Sequence, residues 1–165
     1  MTSTIETTDK PERILIEDDD DEETMREIMT HMLTAAGYEC RVAETPTKTL
    51  EILDSGERID LVCCGVTEWA DDSFRSMIGK TASRTVPAIV SSATFEPSLM
   101  MKMLGMGCYD FLFRPFTREH LVFAVRRALQ HRRLKLENLY LRDRLRLGSG
   151  IEIPLNLLVS GSMDK

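Results

Sequence analysis

No apolar run in the 165-residue sequence approaches the roughly 18–20 residues that a membrane-spanning helix needs, so no segment reads as one. The polar opening MTSTIETTDKPE lacks the pattern of a secretory signal peptide. Cysteine is scarce: there are four, two of them adjacent (Cys63 and Cys64), with no CxxC spacing. That excludes a zinc site of the paired-cysteine type and a disulfide framework, and leaves reduced core thiols of a cytoplasmic protein. His31, His120 and His131 are scattered without ligand spacing. Gly79-Lys80-Thr81 resembles the end of a phosphate loop, but Phe74 stands where the earlier glycine is required and no strand leads directly in.

Charge is present and unevenly placed. The net charge is −6, yet residues 1–117 carry 22 acidic and 11 basic side chains, while residues 118–147 carry nine Lys and Arg against three Asp and Glu. An acidic body joined to one basic segment suggests two tasks in one chain. The densest charge lies in ILIEDDDDEE, residues 14–23, where three branched apolar residues precede seven consecutive carboxylates. Such a block is either a solvated acidic loop or part of a cation site at the end of a strand.

Along the chain, apolar runs alternate with amphipathic stretches. RILI, YECRVA, IDLVCCG, PAIVSS and YDFLF read as strands, and IDLVCCG has the continuous apolar character of a strand buried on both faces. Between them, Met25, Ile28, Met29, Met32, Leu33 and Ala36 fall on one helical face closed by Gly37. A second helix starts at Thr45-Pro46, with Thr45 as its cap, and a weaker one spans about Ser73–Thr81. PSLMMKMLGMG is the fourth helix, and a long one runs from about Arg118 to Leu147. Five strands alternating with five helices predict a parallel α/β sheet covered on both faces. In such sheets the chemistry gathers beyond the carboxyl ends of the strands.

Those ends carry a family resemblance. Asp18-Asp19 after the first strand, Ser92-Ala93 after the fourth, and GCYDFLFRPF around the fifth resemble the receiver domain of two-component response regulators over about residues 13–130. The resemblance implies a flavodoxin-like, doubly wound five-stranded parallel sheet in the order 2-1-3-4-5, here with an extended C-terminal helix. It also implies an acidic pair that holds magnesium, a phosphoaccepting aspartate at the end of the third strand, a hydroxyl switch position at Ser92 and an aromatic one at Phe111. The lysine the family places after the fifth strand is Arg114 in this chain.

The acceptor position is occupied by Gly65, which has no nucleophile and no metal ligand. No catalytic residue, and no enzyme activity, is therefore expected. Thr67 and Glu68 on the following loop, and Asp71 and Asp72 farther along it, rarely meet the in-line geometry an acyl phosphate needs. Counting from the strand, the acidic pair is Asp18 and Asp19; counting back from the first helix, it is Asp20 and Asp21. Two carboxylates alone would bind magnesium only weakly, so no cofactor is expected beyond a weak Mg2+. Arg114 can instead fork onto these acids, turning a metal site into an internal ion pair. If Asp18, Asp19 and Arg114 converge, Gly65→Asp alone is expected to restore magnesium binding.

The last helix runs past the point where a receiver's helix usually stops. Leu134, Asn138, Leu141 and Leu145 form a coiled-coil seam, with asparagine at an a position favouring parallel two-stranded pairing. At about 1.5 Å per residue, a helix from Arg118 to Leu147 would be about 45 Å long. This segment is similar to the linker that joins receivers to the ATPase domain in nitrogen-regulatory-type activators. The expected organisation is a flexible tail over 1–12, a receiver-like domain over 13–130, a coiled-coil extension over 131–147 and a tail over 148–165. The favoured function is a receiver-like module acting by phosphorylation-independent homodimerisation and contact with a protein partner, such as a histidine kinase or an output protein, with no membrane contact. The alternatives are a phosphorelay receiver with an unorthodox acceptor and an N-terminal regulatory fragment of a transcriptional activator. Nucleic-acid binding is disfavoured, because the basic helix lacks interleaved aromatics and any recognisable reading motif.

Overall fold

Strands covered on both faces are mainly apolar, and the three at the sheet's centre are so up to Glu17 and Ser91-Ser92 at their carboxyl ends. In the computed structural model, which describes residues 10–18, 24–66, 72–93 and 96–148, every residue of the third and fourth strands is buried. The elements alternate as β1 Arg13–Glu17, α1 Thr24–Ala35, β2 Glu39–Ala43, α2 Pro46–Asp54, β3 Leu61–Gly65, α3 Asp72–Ser83, β4 Ala88–Ser92, α4 Pro97–Gly105, β5 Asp110–Phe113 and α5 Arg118–Gly148. All four pairings are parallel and the order is β2-β1-β3-β4-β5, as the alternation and the resemblance require. The edge strands β2 and β5 are only partly buried.

Strand side chains point alternately to the two faces, and the core divides accordingly. Ile14, Ile16, Leu61, Cys63, Ile89 and Leu112 pack against α1 and α5 through Met29, Leu33, Leu121, Val125 and Leu129. Leu15, Val62, Cys64, Ala88, Val90 and Phe111 face α2, α3 and α4 through Ile52, Leu53, Phe74, Met77, Ile78, Leu99 and Met103. Local signals fix the helix ends. Gly37 takes a φ of 99°, a left-handed value that stops α1, and the amide of Tyr38 turns back to the carbonyl of Leu33 at 3.1 Å. The hydroxyl of Thr45 accepts from the amide of Lys48 at 3.0 Å, with Pro46 opening α2.

The chain divides into two compact units, residues 1–132 and 133–165. In the first, α5 buries Leu121, Ala124, Val125, Ala128 and Leu129, one continuous helical face. In the second, Leu134, Leu141 and Leu145 are exposed by half or more. At about 100° per residue, Leu134, Asn138, Leu141 and Leu145 fall within an arc of about 60° on that helix. Leu136, Leu139 and Tyr140, also exposed, lie on the other side. The apolar tail IEIPLNLLV and the N-terminal tail to residue 9 lie outside the described residues.

All four cysteines are free thiols, and Cys63, Cys64 and Cys108 are buried. Burial pushes Cys63 and Cys64 up, with the negative charge of Glu17 adding to the effect at Cys64; burial, with Asp110, raises Cys108 to about 12. Cys40, half-buried, is raised mainly by burial and held back by a hydrogen bond from Thr34. A thiolate is the reactive form, so an aromatic disulfide reagent at neutral pH should label Cys40 first. Cys63 and Cys64 should react no faster than the chain unfolds, with peptide mapping as the readout. Rapid native-state labelling of either would contradict this core.

Candidate functional site

The strand register decides which residues meet at the carboxyl edge of the sheet. Glu17 pairs with Cys64, Gly65 with Ser91 and Ser92 with Phe113, so the residues just beyond them share one rim. Arg114 leaves β5 with its amide on the carbonyl of Ser92, 2.9 Å away. Its side chain then folds back over the strand ends. Nη2 donates to Oδ2 of Asp18 at 2.8 Å, and Nη2 and Nε reach Oγ of Ser91 at 3.0 and 3.2 Å. Only 12% of the Arg114 side chain and 4% of that of Asp18 are exposed, so the ion pair is a desolvated one.

The guanidinium lies directly over Gly65. A Cβ at position 65 would fall on Nη2 of Arg114, far inside van der Waals contact, and would stand 3.0 Å from Oδ2 of Asp18. Glycine suits this position through the close approach of a neighbour, since its backbone φ is not of the positive kind, and a side chain here would need the Arg114 fork to shift off Asp18 and Ser91. The two departures noted in the sequence, glycine for the acceptor and arginine for lysine, are one arrangement in space. The longer, forked side chain occupies the volume that a side chain at 65 would enter.

A buried ion pair gains little net stability, but losing one partner strands a charge and costs about 3–5 kcal/mol. Asp18 has a second arginine near it. Arg26, itself buried on α1, donates through Nη1 to the backbone carbonyl of Asp18. Asp18 thus sits between two cationic groups from opposite ends of the sequence. Glu17, the next residue back, is also buried, in the last position of β1 where an apolar side chain would be ordinary.

The other predicted residues are placed as follows. Asp19, Asp20 and Asp21 lie outside the described residues, as do Thr67, Glu68 and Asp71. Asp72 opens α3, exposed, and faces Arg75 at 3.6 Å. Ser92 is buried, and its carbonyl is the group that holds Arg114. The hydroxyl on the guanidinium belongs to Ser91, which sequence reasoning missed. Neighbouring strand residues face opposite ways, so only one of two adjacent serines can present its hydroxyl to Arg114. The tandem Ser91-Ser92 was the available signal. Phe111 is buried in the core beneath α4, its ring 5.3 Å from that of Phe113 and inclined at 55°. The Arg114–Pro115 peptide is cis.

A sequence profile of the response regulator receiver domain matches residues 14–126. The chain belongs to the response regulator receiver family. It is 28% identical over 131 residues to an NtrX-like response regulator of Rickettsia bellii, a match covering 76% of this chain and 27% of that protein. To the DNA-binding transcriptional regulator NtrC of Rhizobium meliloti it is 30% identical over 129 residues, covering 76% of this chain and 26% of the relative. The receiver thus spans about a quarter of the length of such curated relatives. Among solved structures, NtrX from Brucella abortus superimposes with a TM-score of 0.70 at 23% identity, over 93% of this chain and 34% of that one. A CheY-like receiver from Methanospirillum hungatei gives 0.67 at 19% identity, over 76% and 99%. At these identities the two structures establish the fold.

The described residues do not fit the family's magnesium. Magnesium needs near-octahedral oxygen ligands. Here one expected ligand position is Gly65, and the Asp18 carboxylate is already engaged by a fixed cation. Among the described residues, no group of three acidic, histidine or cysteine side chains could hold a metal. The expectation that Gly65→Asp alone would restore the site therefore gains a second condition. A carboxylate at 65 would meet the guanidinium first and be neutralised by it. Calorimetric titration should show no magnesium binding by Gly65→Asp at millimolar ion. Gly65→Asp combined with Arg114→Lys should bind with a dissociation constant on the order of millimolar, the weak range of a small open carboxylate site. Equal binding by the single and double variants would show that Arg114 does not hold the position.

Proposed function

We propose that this receiver signals without phosphoryl transfer, as a homodimeric protein-docking module of a cytoplasmic two-component pathway, with no catalysis of its own. One observation carries the reading: the Arg114 guanidinium, salt-bridged to Asp18, fills the space of a side chain at position 65. A phosphorylated receiver moves between two states because its site holds a removable charge. Here the balancing charge is covalently part of the chain, so the site has no chemical step to cycle through. Output then depends on which partner docks, the partner classes being a sensor histidine kinase or an output protein.

The homodimer is supported by the exposed stripe Leu134, Leu141 and Leu145 with Asn138 among them. Leucine at d with one asparagine at a favours a parallel pair, in which the two amides bond each other at some cost in stability. The positions flanking the stripe are Lys135, Glu137, Arg142 and Arg144, three basic to one acidic, and the excess positive charge keeps the pair weak. A second reading, that this is the amino-terminal regulatory segment of a longer transcriptional activator, is favoured by the small share of the NtrX-like and NtrC relatives that the chain spans. The two readings are compatible, since a regulatory segment can dimerise.

Acetyl phosphate or beryllofluoride with magnesium should leave intact mass and sedimentation unchanged. A hydroxylamine-sensitive, alkali-labile acyl phosphate on any carboxylate would replace this reading with that of a working phosphorelay receiver. Without either reagent, sedimentation should show a dimer half formed at tens of micromolar, corresponding to an association of about −6 to −7 kcal/mol. Leu141→Glu and truncation after Gln130 should each shift it to monomer. A wild-type monomer at that concentration would rule the homodimer out.

A further inference from the structure

The amino-terminal edge of the sheet, opposite Gly65, holds a second buried ion pair. Asp60, just before β3, is 5% exposed. One oxygen accepts from the amide of Arg13 at 2.8 Å and pairs with Nη2 of Arg58 at 2.9 Å. The other accepts from Nη1 of Arg132 at 3.1 Å. Arg132 also donates through Nε to the carbonyl of Thr85, 2.9 Å away in the turn between α3 and β4. Thr85 has a φ of 58°, the one non-glycine residue in the left-handed region among those described. A β-branched residue adopts that conformation only where its surroundings over-determine it. One residue earlier, the His131 ring packs against Tyr109, the residue before β5, at a centroid distance of 5.2 Å.

These contacts fall at one place on α5. Leu121, Val125, Ala128 and Leu129 carry the helix's buried face, and Arg132 takes its next position in the same stripe. Every residue from Arg133 to Arg146 is exposed. The face therefore ends in a guanidinium bound to two separate segments of the domain, with His131 bound to a third. An apolar residue at 132 would continue the packing without tying the helix to a loop. Arginine, with a planar fork of donors, bonds a carboxylate and a carbonyl at once and so fixes orientation as well as position.

We propose that Arg132 is a positioning residue, the root at which the receiver holds α5 in rotation. It is the last residue of α5 that belongs to the first compact unit, and its two oxygen partners hold the end of the helix's buried face in that unit. Release of Arg132 from Asp60 and Thr85 lets the end of α5 loosen while the core stays intact. Docking on the amino-terminal edge that disturbs Asp60 or Thr85 would act on the helix through this residue. The inference needs no phosphoryl chemistry, and its first readout does not depend on the homodimer.

The test is amide hydrogen exchange on the full chain, read by peptide mass spectrometry. Arg132→Met keeps the apolar stem and removes the fork. It should lower protection of residues 126–148 by about tenfold, while peptides from β1, β3 and β4 stay within about twofold of wild type. Arg132→Lys keeps the charge but loses the two-pronged grip, and should lower protection of the same stretch by about threefold. Asp60→Asn should match Arg132→Met in α5. A uniform loss across all peptides would mean that Arg132 merely contributes to global stability, and would overturn the proposal. Unchanged α5 protection in folded Arg132→Lys would overturn it as well. If wild type is dimeric, Arg132→Met should also weaken dimerisation. Local loss in α5 from a monomeric wild type would uphold this inference while the homodimer fails.

Discussion

The ion pair between Arg114 and Asp18 is the constraint on which the carboxyl edge depends. It joins residues that follow β1 and β5 across the ends of β3 and β4, and the glycine that ends β3 leaves room for it. A buried carboxylate must be balanced, whether by a diffusible metal, a mobile lysine or a fixed guanidinium. With metal and phosphoryl group the balance can be changed, and a receiver acquires two populations. A tethered arginine, held by Nε and Nη2 on Ser91 as well as by Asp18, keeps the cation beside the carboxylate as part of the chain. A ligand can shift an equilibrium only through different affinities for its states, so on the proposed reading a docking partner, and not the charge at this site, would have to discriminate between them.

Much of this was legible along the chain. Alternation of apolar runs with helical periodicity gave five strands and five helices, and the ends of α1 and α2 were marked by Gly37 and by Thr45-Pro46. Gly65 and Arg114 were each visible as departures from the receiver pattern. That they are one event was not visible, because they are far apart in sequence and meet only through the β3-β4-β5 register. The choice between Ser91 and Ser92 was hidden for a related reason: adjacent serines at a strand end look alike until the pleat assigns each to a face. The acidic run resisted counting because like residues in sequence carry no internal mark of register. The Asp60–Arg132 pair left no local signal either, since buried ion pairs between distant segments have neither period nor spacing.

The two edges of the sheet use arginine in the same way. At one, Arg114 closes over strand ends where chemistry would gather. At the other, Arg132 closes over strand beginnings where α5 ends its buried face. Both guanidiniums bind one carboxylate and one further oxygen, which is what a planar fork does better than an ammonium. Between the two edges, α4 exposes the apolar side chains of Met101 and Leu104.

The contact over Gly65 also bears on how such a site could change by single mutations. Adding a carboxylate at 65 while Arg114 is present places a new side chain in occupied volume. Replacing Arg114 while 65 is glycine leaves Asp18 buried without its cation. Each intermediate is disfavoured for a different reason, one steric and one electrostatic. The pair behaves as a mutational ratchet: once glycine and arginine have settled together, neither is readily exchanged alone. The shape of the protein at this edge thereby favours keeping both residues together.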